Sequence, residues 1–247
     1  GWTGGNPHDY DREHCVDLVQ LTAFLHTTQP EPAESLGLSE DGPTRRKFLT
    51  RLQGEITKRG TIDVLRHGIK HGAHELDLFY GTPSKENQKA VALFEANRFS
   101  VTRQLRYSRS ETQNALDVGL FINGLPVFTF ELKNSLTKQT VDDAVWQYKK
   151  DRDPREKLFA FARCLAHFAV DENEVRFCTH LTPASRFLPF NRGWNDGAGN
   201  PPNPDGLKTD YLWREVLTRK SLTNIIENYA QVVTEKNPKT GRKNKKL

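Results

Sequence analysis

Hydrophobic and polar side chains alternate over two stretches near the middle of the chain, residues 115–122 and 125–133, with Asn123-Gly124 between them. Alternation with a period of two is typical of a β-strand that buries one face. Asn-Gly between two such stretches is a strong short-range signal for a β-hairpin. The pattern therefore predicts two antiparallel strands that turn at Asn123-Gly124.

The register of this hairpin decides which side chains share a face. A two-residue turn would place Asp117 opposite Phe130, on the other face from Glu131. A three-residue turn would pair Asp117 with Glu131 and would also match hydrophobic residues, such as Leu120 with Phe128. Because a shift of one residue exchanges the two faces of a strand, the hydrophobic pattern should select the register. We therefore predict a three-residue turn, or an equivalent bulge, rather than a plain two-residue hairpin.

The favoured register brings two acidic side chains together. The β-carbons of Asp117 and Glu131 would lie roughly 5 Å apart, and two such carboxylates repel unless a proton or a cation lies between them. Mg²⁺ commonly takes one or two carboxylates with water and phosphate. Lys133 shares the face of Glu131 and could orient water or offset charge on a phosphate. The pattern predicts metal ligands at Asp117 and Glu131 and a catalytic Lys133; an ordinary surface hairpin with a cross-strand Glu and Lys is the alternative.

A helix is predicted after the hairpin, over residues 139–150. Thr140 and Asp143 fit a capping box, and helical spacing predicts a buried stripe. Gln147 lies beside this stripe, where its amide could hold a water or a phosphate oxygen near the metal; a solvated glutamine is the alternative. The predicted buried stripe comprises Val141, Ala144, Val145 and Tyr148.

Further apolar segments extend the prediction to a whole domain. Residues 158–161, 167–170 and 175–179 have the composition of strands, and residues 222–233 have the spacing of a closing amphipathic helix. Residues 191–206 are rich in Asn, Gly and Pro and predict a long irregular loop. Strands mixed with helices indicate an α/β or α+β domain, with a mixed β-sheet flanked by helices.

The chain resembles the N-terminal endonuclease region of the R (restriction) subunit of type I restriction-modification enzymes. The most specific stretch is Leu116-Asp117-Val118-Gly119-Leu120-Phe121-Ile122-Asn123-Gly124-Leu125-Pro126-Val127, which runs on to Glu131-Leu132-Lys133-Asn134. The segments Asn97-Arg98-Phe99, Arg103-Gln104-Leu105 and Phe187-Leu188-Pro189-Phe190-Asn191 are also similar to that family. The resemblance implies an α/β nuclease core of the PD-(D/E)xK (restriction endonuclease-like) type.

The resemblance also implies DNA cleavage that depends on Mg²⁺, for which Mn²⁺ can substitute. By position, Asp117 and Glu131 match the metal-binding acids, Lys133 matches the catalytic lysine, and Gln147 matches the glutamine of a Gln-x-x-x-Tyr motif. Here Asp151 stands where the family has tyrosine, which leaves the role of that motif open. Some enzymes of this fold add a glutamate from the first core helix. The candidates here are Glu55, in a helical run from Arg45 to Arg59, and Glu13, in one from Asp11 to Leu25.

The resemblance places further parts and partners outside this sequence. The chain has no Gly-x-x-x-x-Gly-Lys-[Ser/Thr] loop, so ATP is expected only in the motor domain of the parent subunit. Double-stranded DNA and the specificity and methyltransferase subunits are the implied partners. A catalytically silent scaffold, which binds DNA or docks the motor and partner subunits, and a repair or recombination nuclease are the alternative functions. The oligomeric state and the number of metal ions stay open.

Charge and composition refine this interpretation. The net charge is +5, but residues 235–247 carry all of it and the other 234 residues have as many acidic as basic side chains. We therefore expect a nuclease domain over residues 1–234 and a basic linker over 235–247. DNA affinity would need a local patch, for which Arg98, Arg103, Arg106 and Arg109 are candidates.

Cysteine and histidine usage suggest no second chemistry. Cys15, Cys164 and Cys178 are widely spaced and odd in number, which indicates reduced, buried thiols in a cytoplasmic protein. His67, His71 and His74 would share a face of a helix, a zinc-like arrangement. Gly68 and Gly72 oppose a helix there, so we expect solvent-facing histidines in a loop.

Overall fold

The computed structural model of the protein describes residues 1–236 and 243–247. Its strands are β1 (Thr3–Gly4), β2 (Tyr10–Asp11), β3 (Val16–Asp17), β4 (Ile69–His71), β5 (His74–Leu76), β6 (Phe99–Arg106), β7 (Ala115–Ile122), β8 (Leu125–Leu132), β9 (Ala166–Val170), β10 (Val175–Cys178), β11 (Leu188–Pro189), β12 (Val233–Lys236) and β13 (Lys243–Lys246). Its α-helices are α1 (Leu18–Thr28), α2 (Pro30–Ser35), α3 (Pro43–Arg59), α4 (Thr61–His67), α5 (Gln88–Glu95), α6 (Val141–Lys150) and α7 (Arg219–Asn224). Shorter 3₁₀ turns occupy Pro7–Asp9, Ser135–Thr137 and Lys157–Phe159, and π-helical turns occupy Leu212–Val216 and Ile225–Tyr229.

A seven-stranded sheet forms the centre of the described part, in the order β1-β6-β7-β8-β9-β10-β11. The strands β1 and β6 are parallel, as are β8 and β9, and the other neighbours are antiparallel. This arrangement confirms an α/β fold with a mixed sheet flanked by helices. Aromatic side chains fill one side of it, where Phe130 stacks on Phe168 with ring centroids 5.1 Å apart.

The central hairpin reaches the predicted register by a different route from the favoured one. The turn has two residues, with Ile122 opposite Leu125, so the predicted three-residue turn is wrong. The register then shifts between Leu120 and Phe121, and beyond it Leu120 pairs with Phe128 and Val118 with Phe130. A bulge therefore supplies the extra residue on β8. The predicted equivalent bulge is confirmed, and it restores the pairing that keeps the hydrophobic face buried.

Buried contacts fix the tip of this hairpin. Asn123 and Gly124 have φ angles of 50° and 81°, as a two-residue turn with the twist of the strands requires. The Asn123 side chain donates to the Leu78 carbonyl at 2.9 Å and accepts from the Arg98 amide at 2.6 Å. A β-carbon at Gly124 would lie 2.5 Å from the Asp17 carbonyl oxygen. The turn is thus packed against the start of α1 rather than exposed.

Helix α6 makes the crossover between the parallel strands β8 and β9. It begins at Val141, two residues later than predicted, and Thr140 and Asp143 form the predicted capping box. Val141, Ala144 and Tyr148 of the predicted stripe are buried, and Val145 packs beside them. The hydrophobic face of α6 therefore lies on β8 and β9, which fixes its outer flank near the end of β8.

Two other segments differ from the sequence prediction. The predicted strand over residues 158–161 is a 3₁₀ turn, because a short apolar run has the same pattern in a buried turn as in a strand. The predicted helix over residues 222–233 ends earlier, at a π-helical turn, and Val233 lies in β12. The strands predicted near 167–170 and 175–179 are confirmed as β9 and β10, and residues 191–206 form an irregular loop.

The C-terminal residues on either side of 237–242 pair with each other. Strands β12 and β13 are antiparallel, with Val233 opposite Lys246. Part of the predicted basic linker, residues 237–242, lies outside the described residues. The division of the chain at residue 234 therefore stays a prediction.

The histidine segment is the end of a helix followed by a hairpin, rather than the expected loop. Helix α4 ends at His67, because Gly68 has a φ of 59°, and His71 and His74 lie opposite each other in β4 and β5. In the part of the chain that the structure describes, no three or more His, Cys, Asp or Glu side chains are grouped so that they could hold a metal ion. The three cysteines are free and buried, as predicted. None of the helices in residues 1–236 and 243–247 is long and apolar enough to cross a membrane.

Candidate functional site

Asp117 and Glu131 lie at neighbouring positions of β7 and β8. Val118 pairs with Phe130, and Asp117 and Glu131 are the next residues outward on the two strands, so they occupy facing positions. The Asp117 Oδ2 atom accepts a hydrogen bond of 2.7 Å from the Leu132 amide, and Oδ1 accepts one of 3.3 Å from Gln104 Nε2. Asp117 therefore bridges β6, β7 and β8, and the structure brings the two predicted acids together.

Glu131 is fully buried, with 0% of its surface exposed. Its Oε1 atom accepts a hydrogen bond of 2.7 Å from Arg152 Nε, whereas no described residue donates to its buried Oε2 atom. Burial raises the pKa of Glu131 to about 7; the hydrogen bond and charge of Arg152 lower it, and the Asp117 carboxylate raises it. A buried carboxylate oxygen without a donor, beside a second carboxylate, has the chemistry of a hard-cation ligand.

Arg152 is the ion-pair partner of the buried Glu131. It was not predicted as a site residue, because in the sequence it only follows the end of the predicted helix. Its side chain is 6% exposed. In addition to Glu131, Arg152 donates from Nη2 to the Ala115 carbonyl at 2.7 Å, and its guanidinium lies 5.9 Å from the Tyr107 ring centroid. One signal existed in the sequence, since a carboxylate in an otherwise apolar strand requires a partner when buried. Nothing in the sequence separated Arg152 from its exposed neighbour Arg155.

Lys133 and Gln147 form the second half of the site. The Lys133 Nζ atom donates to Gln147 Oε1 at 2.6 Å, and the Lys133 amide donates to the Val170 carbonyl at 2.8 Å. The second bond continues the pairing of β8 with β9 past the end of β8, while α6 supplies the glutamine. The amide oxygen of Gln147 thus holds the lysine ammonium next to the strand that carries Glu131.

A buried polar network lies behind the site. Thr129, two residues before Glu131, bonds through its hydroxyl to Tyr148 Oη at 2.9 Å and to His167 Nδ1 at 2.7 Å. Burial lowers the pKa of His167 to about 3, so this imidazole is neutral at ordinary pH. Tyr148 is part of the core, and Asp151 is an exposed residue at the end of α6. Asp151 therefore does not take the place of a buried tyrosine.

The two candidate glutamates, Glu55 and Glu13, lie beside arginines rather than beside Asp117 and Glu131. Glu13 is 3.9 Å from Arg109. Glu55, in α3, pairs with Arg51 at 3.1 Å and Arg59 at 2.8 Å. Glu13 precedes α1, which begins at Leu18, so the predicted helix from Asp11 is wrong over its first residues. The physical reason is that the Asp11 carboxylate accepts from the amides of Glu13 and His14 and folds a turn there.

The donor set fits a hard divalent cation. Asp117 and Glu131 offer carboxylate oxygens, and Mg²⁺ typically takes one or two carboxylates and fills its other positions with water and phosphate. A lysine and an amide held beside them add a cation and a hydrogen-bonding group. Such an arrangement can hold a metal ion, a water molecule and a phosphate group together.

Residues 75–186 match the model of a protein family described as type I restriction enzyme R protein N terminus. All four predicted site residues and Arg152 lie within the matched region. The match includes both strands and the turn of the central hairpin, and it confirms the resemblance that the hairpin carries. A search of curated proteins found no match.

Proposed function

We propose that this chain is a Mg²⁺-dependent DNA endonuclease domain, because residues 75–186 match the model of the N-terminal region of type I restriction enzyme R proteins. One observation carries the proposal. Asp117 and Glu131 lie side by side, and a buried oxygen of Glu131 has no donor among the described residues. Carboxylates so placed are costly unless they bind a cation or a proton.

The chain's own residues would divide the work of phosphodiester hydrolysis. Asp117 and Glu131 would hold Mg²⁺, or Mn²⁺ in its place, and the bound ion would polarise a phosphoryl oxygen and acidify water. Lys133 would orient the attacking water or stabilise charge that develops on the phosphate. Gln147, which accepts from Lys133 at 2.6 Å, would fix the ammonium in position. Arg152 would keep Glu131 Oε1 occupied and so turn the free Oε2 towards the cation.

The proposed partners follow from the family. Double-stranded DNA would be the substrate, and the specificity and methyltransferase subunits would join the parent subunit. ATP would be used by a motor domain of that subunit rather than by the residues here. The protein would act on DNA in the cytoplasm.

The proposal is tested by nicking of supercoiled plasmid in Mg²⁺ or Mn²⁺, with Lys133→Ala as the critical variant. We expect the wild-type protein to nick the plasmid and Lys133→Ala to lose roughly a hundredfold or more of the rate, as when a positioned catalytic group is removed. Lys89→Ala, an exposed lysine of α5, is the matched control and should keep the wild-type rate. Chelation of the metal should abolish nicking by every protein.

Each outcome has a defined meaning. Equal nicking by wild type and Lys133→Ala would contradict the assigned site. If neither protein nicks the plasmid, Mn²⁺ titration of wild type and Asp117→Asn would separate the alternatives. Metal binding that depends on Asp117 would support an enzyme that needs its motor and partner subunits, and absence of binding would favour the silent scaffold.

A further inference from the structure

A cavity of about 490 Å³ opens next to the candidate site, on the side of β6. We call it the Arg12–Arg106 cavity; its lining residues are Pro7, His8, Tyr10, Arg12, Gln104 and Arg106. Gln104 links it to the site, because the neighbouring pairs Arg103–Val118 and Leu105–Leu116 place Gln104 opposite Asp117. The hydrogen bond from Gln104 to Asp117 therefore forms the boundary between the cavity and the proposed metal site.

The charge of this cavity is not compensated. Its lining includes two arginines and a histidine but no acid, and neither Arg12 nor Arg106 has a carboxylate partner among the described residues. The two acids that flank Arg12 in the chain contact other residues, since Asp11 contacts His14 at 3.1 Å and Glu13 lies 3.9 Å from Arg109.

A second polar cavity, of about 400 Å³, shows the opposite arrangement. Its lining contains three acids, and three of its basic side chains pair with two of them: Arg51 and Arg59 with Glu55, and Lys70 with Glu75. The basic side chains of that cavity are thus largely paired with acids of its own lining, whereas the Arg12–Arg106 cavity has no acid in its lining. Because residues 1–234 have no net charge, an uncompensated pair of arginines is a local source of attraction for an anion.

The geometry of β6 indicates in which direction a polyanion bound at the candidate site would extend. Arg106 follows Gln104 by two residues, about 7 Å along β6, and Gln104 has an unusual φ of 50°. A polyanion whose reacting phosphate lay at Asp117 and Glu131 would pass Gln104 and reach the two guanidinium groups. Arginine binds phosphate in a planar, two-donor geometry, and most contacts of proteins to DNA go to the phosphate backbone.

We propose that the Arg12–Arg106 cavity binds a backbone phosphate of the DNA strand next to the phosphate that is cut. The proposal rests on the endonuclease function proposed above. Of the arginines that the sequence suggested as a DNA patch, it selects Arg106, and it adds Arg12 from the N-terminal turn. Both would act on any DNA sequence, because a phosphate carries no base identity.

The experiment measures binding of a short fluorescein-labelled DNA duplex by fluorescence anisotropy, without divalent metal, over a series of salt concentrations. The test protein is the double variant Arg12→Gln/Arg106→Gln. The matched control is Lys85→Gln/Lys89→Gln, which removes two exposed charges outside the cavity. We expect the test variant to bind roughly tenfold or more weakly than wild type at low salt. The slope of log K against log salt should decrease by about 0.9 for each lost phosphate contact. The control should change less in both quantities.

A competition arm separates a DNA site from a site for a small anion. Inorganic phosphate and chloride are compared as competitors at equal ionic strength. We expect them to displace the duplex equally; stronger displacement by phosphate would indicate a small-anion site and overturn the proposal.

Two further outcomes would overturn the inference. In the first, the test variant and the control lose the same affinity. In the second, the wild-type protein does not bind the duplex at any salt concentration. The nicking assay with Lys133→Ala reports separately on the endonuclease, so cleavage that depends on Lys133 with unchanged DNA binding in the test variant would refute the cavity alone.

Discussion

Replacement of Arg152 by glutamine would leave the Glu131 carboxylate buried without its ion-pair partner. Removal of one member of a buried pair typically costs about 3–5 kcal/mol of unfolding free energy, and Arg152 also bonds to the Ala115 carbonyl. Glu131 can reduce this cost by binding a proton. Arg152 lowers the pKa of Glu131 in the native protein, so in the variant that pKa should rise above its present value of about 7. The loss of stability should therefore depend on pH.

The direction of this pH dependence follows from the linkage between proton binding and folding. The pKa of Glu131 is higher in the folded than in the unfolded chain, so its contribution is fully present below the unfolded value and is lost as pH rises through the folded value. The wild type loses that contribution near pH 7, whereas the variant continues to lose it above pH 7. The destabilisation by Arg152→Gln should thus grow by up to about 1.4 kcal/mol for each pH unit above neutrality.

The assay is urea denaturation, extrapolated to water, at about pH 6 and about pH 8.5 in EDTA. The variant should be destabilised at both values, with up to about 2 kcal/mol more loss at the higher pH. Arg155→Gln is the control, since Arg155 pairs with Asp153 at the surface and its loss should change stability little. Equal destabilisation by Arg152→Gln at both pH values would refute the reasoning. So would persistence of the extra pH dependence in the double variant Glu131→Gln/Arg152→Gln.

Three further changes test other parts of the structure. Because Gln104 has a φ of 50°, Gln104→Gly should be about 1 kcal/mol more stable to urea than Gln104→Ala, and the reverse order would contradict that conformation. The pKa of His167 is lower in the folded than in the unfolded chain, so the wild type should lose stability as pH falls from 6.5 towards about 3. His167→Gln should lose less over that range, and an unchanged pH dependence would assign the loss to other groups. Phe168 stacks on Phe130, so Phe168→Ala should cost about 3–5 kcal/mol by thermal or urea unfolding; a loss below 1 kcal/mol would argue against that packing.

The hairpin, its register and the acid–acid–lysine arrangement could be predicted because they depend on local alternation. The sequence favoured a three-residue turn, but the same hydrophobic pattern is satisfied by a bulge, and the pattern does not distinguish the two. Gln147 could be placed because helix α6 has a clear cap and stripe. The Lys133–Gln147 contact itself required the crossover that sets α6 against β8.

Other parts of the site depend on contacts between distant segments. Arg152 reaches Glu131 and Ala115 from a segment that only appeared to terminate a helix. Arg12 and Arg106 line one cavity because an N-terminal turn packs beside β6, and no local pattern in the sequence indicates that they are close. Strand β1 has two residues, too few to show a periodicity. Such features are decided by tertiary packing rather than by local preference.

The tip of the central hairpin bears on how relatives of this protein should be identified. Asn123 bonds to Leu78 and Arg98, and Gly124 has no room for a side chain beside Asp17. The Asn123-Gly124 turn is therefore required by packing, and the proposed hydrolysis makes no use of its side chains. A descendant that lost Glu131 or Lys133 would still need this turn in order to fold. The Asn-Gly motif therefore reports on the fold, and the proposed endonuclease activity has to be tested at the acids and the lysine.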